Sequence, residues 1–148
     1  MKAGKISILL LLGVFLVFTA CIKDIIGTEI PADKRIPLVK GSPQTGKWEA
    51  FEYAMDYEYL YTQPKEGTLG SMDFSGSIKK TPGGLDSLAI WIYLLDGNGR
   101  VVEIKSIYDS GFKTKKHVRG PFTVTLAISP ETAGISFAHT AQLSRGRR

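Results

Sequence analysis

Leu88-Ala89-Ile90-Trp91-Ile92-Tyr93-Leu94-Leu95 is apolar at every position and stops abruptly at Asp96-Gly97-Asn98-Gly99. So short a run suits a strand covered on both faces better than a helix. The Asp-Gly-Asn-Gly stretch supplies residues that accept positive φ in a tight hairpin. Val101 to Ile107 then returns as the partner strand. That hairpin makes this a β protein.

The flanking sequence agrees. Upstream, Met72, Phe74, Gly76 and Ile78 alternate with polar or small residues. Before them Phe51, Tyr53, Met55, Tyr57, Tyr59 and Tyr61 alternate with Ala50, Glu52, Ala54, Asp56, Glu58 and Leu60. Period two in aromatic types marks strands with one buried face. Downstream, Phe122, Val124, Leu126 and Ile128 alternate with Thr123, Thr125 and Ala127, and Ile135, Phe137 and Ala141 form a last strand after the Pro130–Gly134 turn. No amphipathic helical pattern intervenes, which excludes a βαβ architecture. The expectation is all-β: an antiparallel β-sandwich, immunoglobulin-like or transthyretin-like, of six to seven strands over residues 47–142. About 96 residues can bury one core without disulfides. Trp91, Phe122 and Phe74 are the expected core residues.

The N-terminus has its own grammar. Lys2 and Lys5 precede an apolar run from Ile6 to Phe18, and Thr19-Ala20-Cys21 follows with the only cysteine of the chain. The run falls short of the ~20 residues of a transmembrane helix. The segment resembles the signal peptide and lipobox of bacterial lipoproteins, departing from it at Phe18, where Leu is usual. The resemblance implies removal of residues 1–20, acylation of Cys21 and attachment to a bilayer of the cell envelope. Ile22, where an Asp would favour the inner membrane, implies the outer membrane by the same resemblance. Residues 21–46, with Pro31, Pro37, Pro43, Gly27, Gly41 and Gly46, are expected to be a flexible tether after the lipidated cysteine. Ile25, Ile26, Ile30, Ile36 and Leu38 are more apolar than a spacer needs. Residues 143–148 are expected to be a basic disordered tail.

A second resemblance concerns the domain. Ile92 to Val102, with Ile135-Ser136-Phe137 later, is similar to the strand, Asp-x-x-Gly turn and Val-Val strand of FxLYD-type immunoglobulin-like extracytoplasmic domains. It supports the fold and carries no catalytic residue to transfer.

The chain has 19 Lys and Arg against 14 Asp and Glu, or 17 against 14 without Lys2 and Lys5. Much of the excess lies in Lys113, Lys115, Lys116 and Arg119 and in Arg145, Arg147 and Arg148. Two readings stand: a solvated loop with a frayed terminus, or contact with an anionic surface, worth ~1 kcal/mol per basic residue. So mild a charge on an exported chain argues against nucleic acid. Tyr57, Tyr59 and Tyr61 likewise admit two readings, the inner face of a sandwich or an exposed strip for a glycan or protein partner. The acids Glu52, Asp56 and Glu58 on the opposite face favour burial. His117 and His139 have no nucleophile elbow or cysteine partner in sequence and make a poor metal site. Asp96, Asn98 and Asp109 lack a calcium loop's array of oxygens, and Asp96 and Asn98 are read as turn formers. No metal or cofactor is expected. The chain is read as a lipid-anchored, non-enzymatic interaction or accessory module for an envelope protein partner. The alternative is glycan or peptidoglycan binding through exposed tyrosines.

Overall fold

The structure, a computed structural model, describes residues 24–51, 53–80, 85–111 and 120–143. Eight strands follow one another: β1 Ile36–Pro37, β2 Gln44–Glu49, β3 Tyr53–Thr62, β4 Gly70–Lys80, β5 Leu85–Leu95, β6 Val101–Asp109, β7 Gly120–Ile128 and β8 Gly134–Leu143. They form two four-stranded sheets, ordered β1-β8-β5-β6 and β2-β3-β4-β7, with every ladder antiparallel. The two sheets make the expected all-β sandwich, with eight strands rather than six or seven. Its β2-β3-β4 meander is absent from the ABED/CFG strand order of immunoglobulin domains.

Alternation sets the core. β3 turns Tyr53, Met55, Tyr59 and Tyr61 inward, β4 Met72, Phe74 and Ile78, and β5 Leu88, Ile90, Ile92 and Leu94, all buried. Rings join the sheets: Phe137 of β8 lies 5.1 Å from Trp48, 5.1 Å from Tyr57 and 5.9 Å from Phe74, and Tyr108 of β6 lies 5.1 Å from Phe122 of β7. Two glycines make room for these rings. Gly46 and Gly76 are the cross-strand partners of Tyr57 on either side. A methyl at Gly46 would overlap the Tyr57 ring, and one at Gly76 would lie 2.5 Å from the Phe122 ring. Both side chains would need a different packing.

Three expectations need correction. The described part of the expected tether, residues 24–46, is built into the sandwich. Ile36 and Pro37 pair with Ile135 and Gly134, β2 already begins at Gln44, and Gly27 and Ile30 donate backbone hydrogen bonds to Val101 and Gly99. Its prolines and glycines hide the signal, because hydrogen-bonded segments this short show no periodicity. Trp91 belongs to the outer face of β5, half-buried, since its neighbours Ile90 and Ile92 take the inward positions. Phe51 continues the alternation of β3 in sequence, yet it sits in the β2–β3 turn and is 89 % exposed.

Candidate interaction surfaces

The strand ends define two poles. The β2–β3 turn with Phe51, the end of β4, the start of β5, the end of β6, the start of β7 and the end of β8 share one pole. The β3–β4, β5–β6 and β7–β8 connections share the other.

At that second pole the N-terminal segment is stapled down. Val101 N donates to Thr28 O, and the backbones of Glu29 and Arg100 pair in an isolated antiparallel β-bridge. Arg35 Nε donates to Ile30 O at 2.6 Å, and its Nη2 meets Glu29 Oε1 at 2.7 Å. Asp96 Oδ1 accepts from Asn98 N at 2.8 Å and from Arg100 N at 2.9 Å, which makes it the former of the hairpin turn. Those backbone bonds, Arg100 first, hold its carboxyl below the ordinary value of 3.8.

The outer face of the β1-β8-β5-β6 sheet carries an apolar groove of about 240 Å³, lined by Trp91, Tyr93, Ile104, Ala138 and, from the N-terminal segment, Ile25. The outer face of the other sheet is polar. Its shallow concavity of about 470 Å³ is lined by Glu58, Asp73, Ser75, Thr123 and Thr125, and Thr125 Oγ1 donates to Asp73 Oδ1 at 2.7 Å. Asp56 is paired with Lys79 on that face, and Lys47 with Glu49.

Tyr59 and Tyr61 are 2 % exposed, and Tyr57 is half-buried against Phe74 at 5.8 Å. The Tyr59 hydroxyl donates to Pro37 O at 2.9 Å. Burial raises all three phenols above their ordinary value of 10.0. The ladder is thus the inner face of β3 and not an exposed strip. His139 lies among rings, 5.4 Å from Trp48 and 5.2 Å from Tyr53. Among the described residues no group of three or more His, Cys, Asp or Glu is placed to hold a metal ion, and no helix is long and apolar enough to cross a membrane. Cys21, Lys113, Lys115, Lys116, Arg119, His117, Glu52 and the 144–148 part of the tail lie outside the described residues. Sequence reasoning missed Phe51 as a surface residue and the staple at Arg35. The five isoleucines and leucines between Ile25 and Leu38 were the signal for the second.

No family model matches the chain, and no curated protein or solved structure matches it significantly.

Proposed function

We propose that this chain is a lipoprotein of the bacterial envelope, anchored through acylated Cys21, whose sandwich is a non-enzymatic interaction module held at the bilayer surface. The observation that supports the anchor is the order of Lys2 and Lys5, the apolar run Ile6 to Phe18 and Thr19-Ala20-Cys21. The docking of residues 27–30 on β6 and the β5–β6 turn bears on how near the bilayer the sandwich would then sit. With Gly27 hydrogen-bonded to Val101, five residues, 22–26, lie between it and the lipobox cysteine, six Cα-to-Cα steps. At ~3.3–3.6 Å per extended residue that is a leash of ~20 Å, far less than a 25-residue spacer would give. A short leash suits a module that meets its envelope partner close to the membrane. Acylation with more than one chain makes attachment effectively permanent, each buried methylene adding ~0.8 kcal/mol. The lipobox resemblance, with Ile22 after the cysteine, supports the outer membrane. Burial of Tyr59 and Tyr61, with Tyr57 half-buried, counts against the glycan alternative.

Replacement Cys21→Ala tests the anchor. Labelling of cells with radioactive palmitate should mark the native chain and leave the variant unlabelled, accumulating as precursor or as a soluble form. Equal labelling of both would overturn the assignment.

A further inference from the structure

We infer that the sandwich takes its partner as a lone extended segment of uncharged polypeptide, added as a strand beside β8. The inference rests on the interaction-module reading above and not on the anchor. β1 is only two residues long and covers β8 at Gly134 and Ile135. Beyond them, from Phe137 to Leu143, no described strand lies on that side of β8. The backbone there points outward. Leu88 N donates to Ser110 Oγ at 2.8 Å, and Ser110 N donates to Leu88 O at 2.9 Å. Leu88 thus turns both groups away from Ala141, its partner in β8, so the N–H and C=O of Ala141 face away from β5. Period two repeats that direction at Phe137, and Ala133, of the same parity, accepts from Leu38 N on that side.

The other three edges discourage an added strand. β6 turns Glu103 and Lys105 inward, opposite buried Leu94 and Ile92, and pairs them as ions. β7 carries Pro121, and β2 carries Lys47 and Glu49 within six residues. Inward charge, proline and shortness are devices by which sheets keep further strands off. β8 has none of them here: Phe137-Ala138-His139-Thr140-Ala141-Gln142-Leu143 holds no proline, lysine, arginine or acid.

The opposite sheet decides what fits. Trp48 of β2, half-buried, reaches under this edge, 5.1 Å from Phe137 and 5.4 Å from His139. Rings of β3 lie under β8, Tyr57 beneath Phe137 and Tyr53 beneath His139. Pairing two copies edge to edge would press the β3 of one into the space that Trp48 holds in the other. One extended strand meets no such obstacle. Its inward side chains, if apolar, complete the cover of Trp48, and its outward ones meet uncharged Ala138, Thr140 and Gln142. Along Phe137–Leu143, at ~3.3 Å per residue, the added ladder runs ~23 Å. Main-chain bonds supply its affinity and the Trp48 contact its selectivity.

Amide exchange on the full chain in detergent micelles tests this. The probe is a synthetic peptide of alternating valine and threonine, N-methylated on its threonines so that it pairs along one edge only. Its control is N-methylated on every residue. Exchange at Phe137 and Ala141 should slow several-fold with the probe and stay unchanged with the control, while the edges of β6 and β7 show no response. Ala141→Pro removes an outward N–H without touching the β5 ladder. It should weaken the probe ~ten-fold at an unchanged urea midpoint. Should the midpoint fall, the control peptide decides alone. Unchanged exchange at Phe137 and Ala141, equal slowing by the control, or equal slowing on β6 or β7 would overturn the proposal. Exchange already slow without peptide would also overturn it, in favour of a second copy where sedimentation shows a dimer, and of the chain's own remaining residues where it shows a monomer. None of these outcomes bears on Cys21, whose palmitate labelling reports the anchor separately.

Discussion

β3 and β5 are both interior strands, hydrogen-bonded on either side, and each buries its inner face completely at most positions. They differ on the other face. β3 presents Ala54, Asp56, Glu58 and Leu60 outward, and the polar face of its sheet continues in Asp73, Thr123 and Thr125. β5 presents Ala89, Trp91 and Tyr93, half-buried, and Ile25 shares their groove. A strand that is apolar throughout therefore announces a cover for its second face. Here part of that cover is the chain's own N-terminal segment.

The largest test of this contrast compares core with outer face. Phe74→Ala empties a position between the sheets and should cost ~3–5 kcal/mol. Trp91→Ala removes a half-buried side chain from the outer face and should cost clearly less. Urea denaturation of both variants decides the matter, and an equal loss would mean that the outer face of β5 is as enclosed as the core.

A smaller effect is expected at the staple. Arg35→Ala removes the hydrogen bond to Ile30 O and the contact with exposed Glu29, a loss of ~1 kcal/mol. Amide exchange at Gly27 and Ile30 should accelerate while that at Ile92 stays slow. Acceleration throughout the sandwich would show that the segment is part of the cooperative core and not a cover laid upon it.

Titration should show the smallest differences, and on opposite sides of neutrality. Asp96 has a folded value below 3.8, so its contribution is present above that pH and is lost as the pH falls through the folded value. Asp96→Asn should flatten the acid limb of the stability profile. Tyr57, Tyr59 and Tyr61 in β3, and Tyr93 and Tyr108 in the other sheet, have raised values. Above pH 10 the unfolded chain ionises first, so stability declines there. Phenolate absorbance should then rise together with loss of the β signal in circular dichroism. A rise that precedes unfolding would show that these rings reach solvent.

Much of the sandwich was legible because side-chain period is a local property. Met72, Phe74 and Ile78 are buried as their alternation requires, and Asp96 closes the β5–β6 hairpin. Period cannot say which face of an all-apolar strand turns inward, which is why Trp91 was misassigned to the core. It also runs on through a turn, as it does at Phe51. Residues 24–46 were illegible for a different reason. Their order comes from hydrogen bonds to residues far along the chain, such as Leu38 N to Ala133 O and Tyr59 Oη to Pro37 O, and such bonds leave no local pattern. The surface was the least legible part, because whether Tyr61 is a ligand platform or a core residue depends on the second sheet.

The pairing of β1 with β8 carries a consequence for how the chain matures. Ile36 meets Ile135, about a hundred residues later, and the strand that receives it is the last of the eight. Contacts this distant in sequence form slowly. A polypeptide emerging N-terminus first, from a ribosome or through a narrow pore, presents β1 long before its partner exists. The β1-β8-β5-β6 sheet can close only when its final strand has come through, whereas the β2-β3-β4 meander pairs strands that follow one another.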